Sequence, residues 1–86
     1  MIRVSNNTDV KSLGGAIAQQ LKEGDGSVVA SAIGPMAVNQ MMKGCAVARQ
    51  FLCNEGTEMT VKPSFGTILI DGLEQSSVQL LIEHVR

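Results

Sequence analysis

The spacing of hydrophobic residues changes from a period of two to a period near 3.6 early in the chain. Residues 2–5 alternate between apolar and polar side chains, which is typical of a short strand. The next apolar positions are three or four residues apart, which predicts an amphipathic helix that ends at Gly24. Asn7 or Thr8 is the predicted N-cap, and Asp9 suits the positive end of the helix dipole. The apolar positions of this helix are Val10, Leu13, Ile17 and Leu21.

Two adjacent glycines, Gly14 and Gly15, lie inside this predicted helix. Each lowers helix stability by about 1 kcal/mol relative to Ala. We therefore expect that a neighbouring element packs too closely here for a side chain, the alternative being a functional approach to the backbone.

A second strand and a second helix follow. Residues 27–32 form a β-rich run bounded by glycines, which indicates a buried strand. Pro35 suits the first position of a helix, because its missing N–H would be unpaired there anyway. This helix is expected to run to Leu52 or Cys53. Its predicted apolar stripe consists of Val38, Met41, Met42, Cys45, Ala48 and Leu52.

The last third of the chain has the period of β-structure. An alternating segment over residues 58–62 is followed by Pro63, where we expect an interruption at an edge or bulge position. Alternation resumes at residues 68–70, and Asp71-Gly72 is a hairpin turn signal. The final strand alternates over residues 78–85, and His84 is expected to be a hydrogen-bonded residue at the end of the sheet rather than a catalytic group.

The resulting order is β-α-β-α-β-β in an α+β fold, with one domain over residues 1–86. The first two strands should be parallel through a right-handed crossover, and the last two should form a hairpin. One mixed four-stranded sheet then carries both helices on one face, because the chain is too short to cover both faces. The other face should be polar or covered by a partner.

Composition limits the possible partners. Seven Lys and Arg against eight Asp and Glu give a net charge of −1, so only a local patch can attract nucleic acid or anionic lipid. The sequence has two Phe, no Trp and no Tyr, which excludes an aromatic stacking platform for single-stranded nucleic acid. No apolar stretch approaches the ~20 residues of a membrane span, and the first five residues do not form the apolar segment of a secretion signal. We expect a cytoplasmic protein without a membrane partner.

Motifs for catalysis and metal binding are missing from the sequence. It contains no GxGxxG, no GxxxxGK[ST], no HExxH and no GxSxG. Cys45 and Cys53 are eight residues apart, a spacing that fits neither a CxxC pair nor half of a zinc site, so two buried or half-buried reduced thiols are expected. The sequence predicts a protein that is not an enzyme and has no cofactor, no metal and no small-molecule substrate.

The segment from Ala32 to Arg49 resembles the signature of the stage V sporulation protein S family, which reads A-I-G-x-x-A-V/L-N-Q-x-x-K-x-x-A-I/V-A-R. Further similarity, in the first strand, the first helix and the segment from Pro63 to Gly72, extends the resemblance over essentially the whole chain. The signature positions that match in register are Gly34, Ala37, Asn39, Gln40, Lys43, Ala46, Ala48 and Arg49.

This resemblance implies an Alba-like two-layer fold, a bacterial cytoplasmic setting, self-association and nucleic-acid binding linked to sporulation or cell-division control. Three departures bear on DNA binding rather than on the fold. Neutral Asn6-Asn7 stands where family members often have a Lys, and Pro35 removes one amide at the start of a helix. The turn over residues 71–75 is acidic, whereas Alba proteins have a basic arm there that reaches the minor groove.

Two hypotheses of different classes follow. In the first, the protein binds DNA or RNA through a patch in which the cations hold phosphates and the amides add hydrogen bonds. The alternative is a self-assembling interaction module, a homodimer or higher oligomer, in which Met36, Met41 and Met42 supply adaptable apolar surface. The residues of the predicted nucleic-acid patch are Lys11, Asn39, Gln40, Lys43 and Arg49.

Overall fold

The computed structural model describes residues 1–85, and it has the expected order of elements. The strands and helices are β1 (Ile2–Val4), α1 (Val10–Glu23), β2 (Ser27–Ala32), α2 (Pro35–Asn54), β3 (Glu58–Ile70) and β4 (Leu73–Val85).

A single mixed sheet has the strand order β1-β2-β4-β3. β1 pairs with β2 in parallel, and both the β2–β4 and the β4–β3 pairs are antiparallel. The predicted parallel first pair and the final hairpin are confirmed. His84 lies near the end of β4, and its Nε2 atom is 2.8 Å from the hydroxyl of Thr57, which confirms its expected hydrogen-bonded position.

Both helices cover the same face of the sheet, as expected. The strand register brings alternate residues of all four strands to that face, and these side chains form one core with the helices. Arg3, Ser31, Gln79 and Leu81 project from the opposite face, which is therefore mixed in polarity. The sheet residues buried in the core are Val4, Val28, Ala30, Ala32, Met59, Leu80 and Ile82.

The two helices run in the same direction and touch at glycines. A Cβ atom added at Gly14 would overlap the side chain of Val47, and one added at Gly44 would overlap Leu13. The expected close approach is confirmed at Gly14. It is wrong for Gly15, because a Cβ atom there would meet no atom within 4 Å.

The start of α1 differs from the prediction. Asp9 is the N-cap, and its carboxylate accepts a hydrogen bond of 2.9 Å from the backbone N–H of Ser12. This bond holds the pKa of Asp9 below its ordinary value. Thr8 does not cap the helix because its hydroxyl instead accepts a hydrogen bond from the backbone N–H of Ser5. The predicted end at Gly24 is confirmed.

The stripe predicted for α2 is only partly buried. Met42 is 48% exposed, because it lies on the side of the helix that faces neither α1 nor the sheet, and Val38 is half-buried. The helix begins at Pro35 as predicted and extends to Asn54. Cys45 is buried, and burial raises the pKa of its thiol to about 11, whereas Cys53 is exposed, contrary to expectation.

β3 is not interrupted at Pro63. It is continuous over Glu58–Ile70 and pairs with β4 along its whole length. Pro63 is tolerated because β3 is an edge strand, as expected, so a proline there can face away from the ladder. Asp71 and Gly72 form the two-residue turn with φ values of 51° and 78°, the backbone of a type I′ hairpin.

The hairpin continues beyond the rest of the sheet. β4 pairs with β2 only over residues 78–83, whereas its first residues pair with β3 alone. Residues 66–77 therefore form a two-stranded projection, here called the arm, about 17 Å long at 3.4 Å per residue. The molecule is elongated accordingly, with extents of 43 × 23 × 17 Å. In the described range 1–85, no helix is long and apolar enough to cross a membrane.

Candidate nucleic-acid interface

The beginning of α1 and the middle of α2 are joined by a side chain of the predicted patch. The Nε2 atom of Gln40 donates a hydrogen bond of 3.0 Å to the backbone carbonyl of Thr8, and Gln40 is half-buried. A second contact, between Leu13 and Gly44, lies further along both helices in the same direction, so the two helices are parallel. The amide of Gln40 therefore has a structural contact that fixes one helix against the other.

This alignment brings two cations to the same level of the helix layer. Lys11 lies three residues after Thr8, and Lys43 lies three residues after Gln40. Both lysines are exposed, and neither has a carboxylate within 4 Å among residues 1–85. Asn39 is also exposed and lies one turn before Lys43 on the same helix face. Lys11, Asn39 and Lys43 are called the helix patch below.

Arg49 lies apart from the helix patch. It is six residues from Lys43, which turns its side chain by about 120° around the helix axis. Its Nε and Nη2 atoms donate hydrogen bonds of 2.9 and 2.8 Å to the two carboxylate oxygens of Glu58 in β3. This paired geometry lowers the pKa of Glu58 to about 2 and raises that of Arg49. The guanidinium is already neutralised by a carboxylate, which weakens any attraction to phosphate.

Two other cations have carboxylate partners. Lys22 contacts Glu55 at 2.9 Å, and Lys62 contacts Glu83 at 3.2 Å. Exposed pairs of this kind contribute little to stability, but each cancels a positive charge locally. Among the Lys and Arg side chains of the described chain, those without a carboxylate partner are therefore Lys11, Lys43 and one residue outside the predicted patch, Arg3.

Arg3 was not among the residues predicted from the sequence. It lies in β1 between Ile2 and Val4, and the period of two places its side chain on the face of the sheet that the helices do not cover. It is exposed, and over residues 1–85 no carboxylate pairs with it. The alternation of the first strand is the signal by which this position was recognisable.

The arm has the opposite charge. Asp71 and Glu74 are its charged residues, and both are exposed. Its exposed apolar side chains include Leu69, Ile70 and Leu73, which are 67%, 44% and 66% exposed. A surface of this composition repels a phosphate backbone and offers apolar contact instead. Within the part of the chain that the structure describes, no cluster of three metal-ligating side chains occurs.

The comparisons with known proteins agree with this architecture. The family model of stage V sporulation protein S matches residues 1–85. Among solved structures, the chain is similar to Alba from Thermoplasma volcanium, with a TM-score of 0.62 and 12% sequence identity over 99% of this chain and 98% of that one. At this identity the structural likeness supports the fold, and it confirms the Alba-like interpretation of the sequence.

Proposed function

Because the chain belongs to the stage V sporulation protein S family, we propose that it is a small non-enzymatic regulatory protein. It binds nucleic acid, primarily DNA, through the helix patch. The proposal includes a cytoplasmic location and a link to sporulation or cell-division control. It rests on one observation above all: Lys11 and Lys43 are unpaired and exposed at the same level of two adjacent helices.

The chemistry of the helix patch fits phosphate contact rather than base recognition. Lysine ammonium groups attract phosphates as point charges, and Asn39 can add a hydrogen bond to a phosphate or sugar oxygen. Contacts of this type position a protein on a duplex without reading its sequence. Arg49 and Gln40 were predicted to take part, but their contacts with Glu58 and Thr8 favour a supporting role for both.

Binding by one chain is expected to be weak, because two lysines release few counterions. A homodimer or higher closed oligomer doubles the number of cations on one assembly. We therefore propose self-association as part of the same function, with two helix patches on one surface.

The test is a fluorescence anisotropy titration of duplex DNA and duplex RNA at low salt. The variant Lys11→Gln/Lys43→Gln is compared with the matched control Lys22→Gln/Lys62→Gln, which removes the same charge from two cations that have carboxylate partners. We expect the helix-patch variant to bind about tenfold more weakly, which is a loss of about 1.4 kcal/mol in total, and the control to lose much less. Equal binding by both variants, or no binding by the unaltered protein, contradicts the proposal.

A second candidate function is assembly without nucleic-acid binding. The exposed apolar residues at the arm and its base favour it, with Phe65 at 89% exposure the most open among them. In this case light scattering detects an oligomer whose mass falls on Leu69→Ser/Leu73→Ser substitution, while DNA titrations stay flat. Oligomerisation that persists in this variant, together with salt-sensitive DNA binding, favours the first function.

A further inference from the structure

A cavity of about 370 Å³ lies where β1 and β2 end. One wall is polar and consists of Arg3 and the loop residues 5–7, and the other is apolar and includes Ile33, Ile68 and Ile70. Its volume is within the range of small-molecule sites. The ends of parallel strands are also where ligands commonly bind in α/β sheets.

The cavity contains a buried hydroxyl that lacks a partner. Ser31 lines the cavity and is only 1% exposed, and its Oγ atom has no hydrogen-bond partner among residues 1–85. The register places Ser31 directly opposite Arg3, on the face of the sheet that the helices leave open. A buried polar group without a partner destabilises the protein, and a ligand group that bonded this hydroxyl at the cavity wall would remove that cost.

One cation and one helix N-terminus lie at the cavity. Arg3 is exposed and unpaired, and the cavity-lining residues, all within the described chain, include no Asp or Glu. The N-terminus of α2 lies beside the cavity, since Ala37 in its first turn belongs to the wall. No side chain caps this helix, so its first N–H groups and the positive end of its dipole are uncompensated.

From this arrangement we propose that the cavity binds a small phosphate monoester with an apolar body. Arg3, the Ser31 hydroxyl and the Asn6–Asn7 amides bind the phosphate, because guanidinium and neutral donors are the groups that proteins use for this anion. The apolar body lies against Ile33 and against Ile68 and Ile70, two residues of the arm. The ligand thus contacts both the sheet and the arm. This site is independent of the helix patch, and it differs from the expectation of a chain without a small-molecule ligand.

The test is an NMR titration, recorded in ¹H–¹⁵N and methyl ¹H–¹³C spectra, with hexyl phosphate, inorganic phosphate and hexanol as separate probes. We expect hexyl phosphate to bind about tenfold more tightly than inorganic phosphate, since it adds apolar contact, and hexanol to bind more weakly than hexyl phosphate. The amides of residues 3–7 and 31–33 should shift, together with the side-chain methyls of Ile68 and Ile70. Equal affinity for the two phosphates, or shifts spread over all exposed cations, overturns the proposal.

Three variants distinguish a role in ligand binding from a role in stability alone. Arg3→Gln should weaken hexyl phosphate binding about tenfold, whereas Lys62→Gln, which also removes an exposed cation from the open face, should leave it unchanged. Ser31→Ala should raise the midpoint of thermal unfolding of the free protein, because it removes an unpaired hydroxyl, and should weaken hexyl phosphate binding. If Ser31→Ala binds hexyl phosphate as tightly as the unaltered protein does, the hydroxyl is not part of a ligand site and the proposal fails.

If the phosphate group that binds here belongs to nucleic acid instead of a small molecule, DNA competes for the cavity. Duplex DNA is therefore added to protein loaded with hexyl phosphate. Retention of the bound hexyl phosphate supports a small-molecule ligand. Displacement by DNA overturns this assignment and identifies the cavity as part of a nucleic-acid surface.

Discussion

Leu80 and Leu69 face the same side of the same hairpin, yet one is 2% exposed and the other 67%. Leu80 lies where β2 and the two helices cover the hairpin, and Leu69 lies in the arm, beyond both. Both positions carry a leucine on the same face of a strand. Burial is therefore decided by what packs on the strand, and the strand sequence alone does not indicate it.

The charges of the two regions differ as well. The helix layer carries two unpaired lysines, whereas the charged residues of the arm are Asp71 and Glu74. A protein that held a duplex with a basic hairpin would have the reverse arrangement. The comparison therefore supports the proposal that nucleic-acid phosphates contact the helices, and that the arm offers apolar contact.

The sharpest test of the difference in burial is a matched pair of leucine truncations. Leu80→Ala should lower the free energy of unfolding by about 3 kcal/mol, since it leaves a cavity in the core. Leu69→Ala should change it by less than about 0.5 kcal/mol. Urea denaturation measures both at low protein concentration. Comparable losses in the two variants contradict the distinction between the core and the arm, and a concentration-dependent loss in Leu69→Ala indicates an interface at the arm.

A second matched pair concerns the contact between the helices that form the helix patch. Gly14→Ala should destabilise the protein by about 1 to 3 kcal/mol, because the added methyl group overlaps Val47. Gly15→Ala meets open space and should stabilise it by up to about 1 kcal/mol through helix propensity. Thermal unfolding followed by circular dichroism gives the sign of each change. Stabilisation by both substitutions is inconsistent with the close approach of α1 and α2.

The pair of Arg49 and Glu58 predicts a smaller, pH-dependent effect. The pKa of Glu58 is about 2 in the folded protein, below the ordinary value of 4.5. A lowered folded-state pKa means that the stabilisation is present above pH 4.5 and is lost as the pH falls toward 2. Glu58→Gln should therefore reduce the loss of stability between pH 4.5 and 2, measured by urea denaturation at each pH. Arg49→Gln is the control and should reduce it similarly. An unchanged pH profile in both variants means that the pair is not formed in solution.

The order of elements and the placement of both helices followed from the hydrophobic periods, because a period of two and a period of 3.6 are local properties of the chain. Contacts between residues that are far apart in the sequence could not be predicted from these periods. The pairing of Arg49 with Glu58 and of Gln40 with Thr8 depends on how α2 lies against β3 and α1. Pro63 was expected to interrupt β3, since the sequence does not show that the strand continues to Ile70 with β4 along its whole length.

Only part of the candidate site could be predicted from the sequence. Asn39 and Lys43 share a helix face by their spacing of four, so their proximity could be inferred. The position of Lys11 beside them depends on the alignment of α1 with α2, which only the structure provides. The cavity beside Arg3 combines strand ends, a loop and the arm, and no local pattern of residues marks it.

A ¹H–¹⁵N NMR titration with duplex DNA at low salt decides whether nucleic acid contacts the helix patch and not the arm, as we propose. We expect the amide signals around Lys11 and over residues 39–43 to shift, while those of residues 66–77 stay in place. Repeating the titration at rising salt should give a slope of log K against log salt of about −3, as for three or four phosphate contacts per dimer. Shifts confined to residues 66–77, or no shifts at all, would contradict the account.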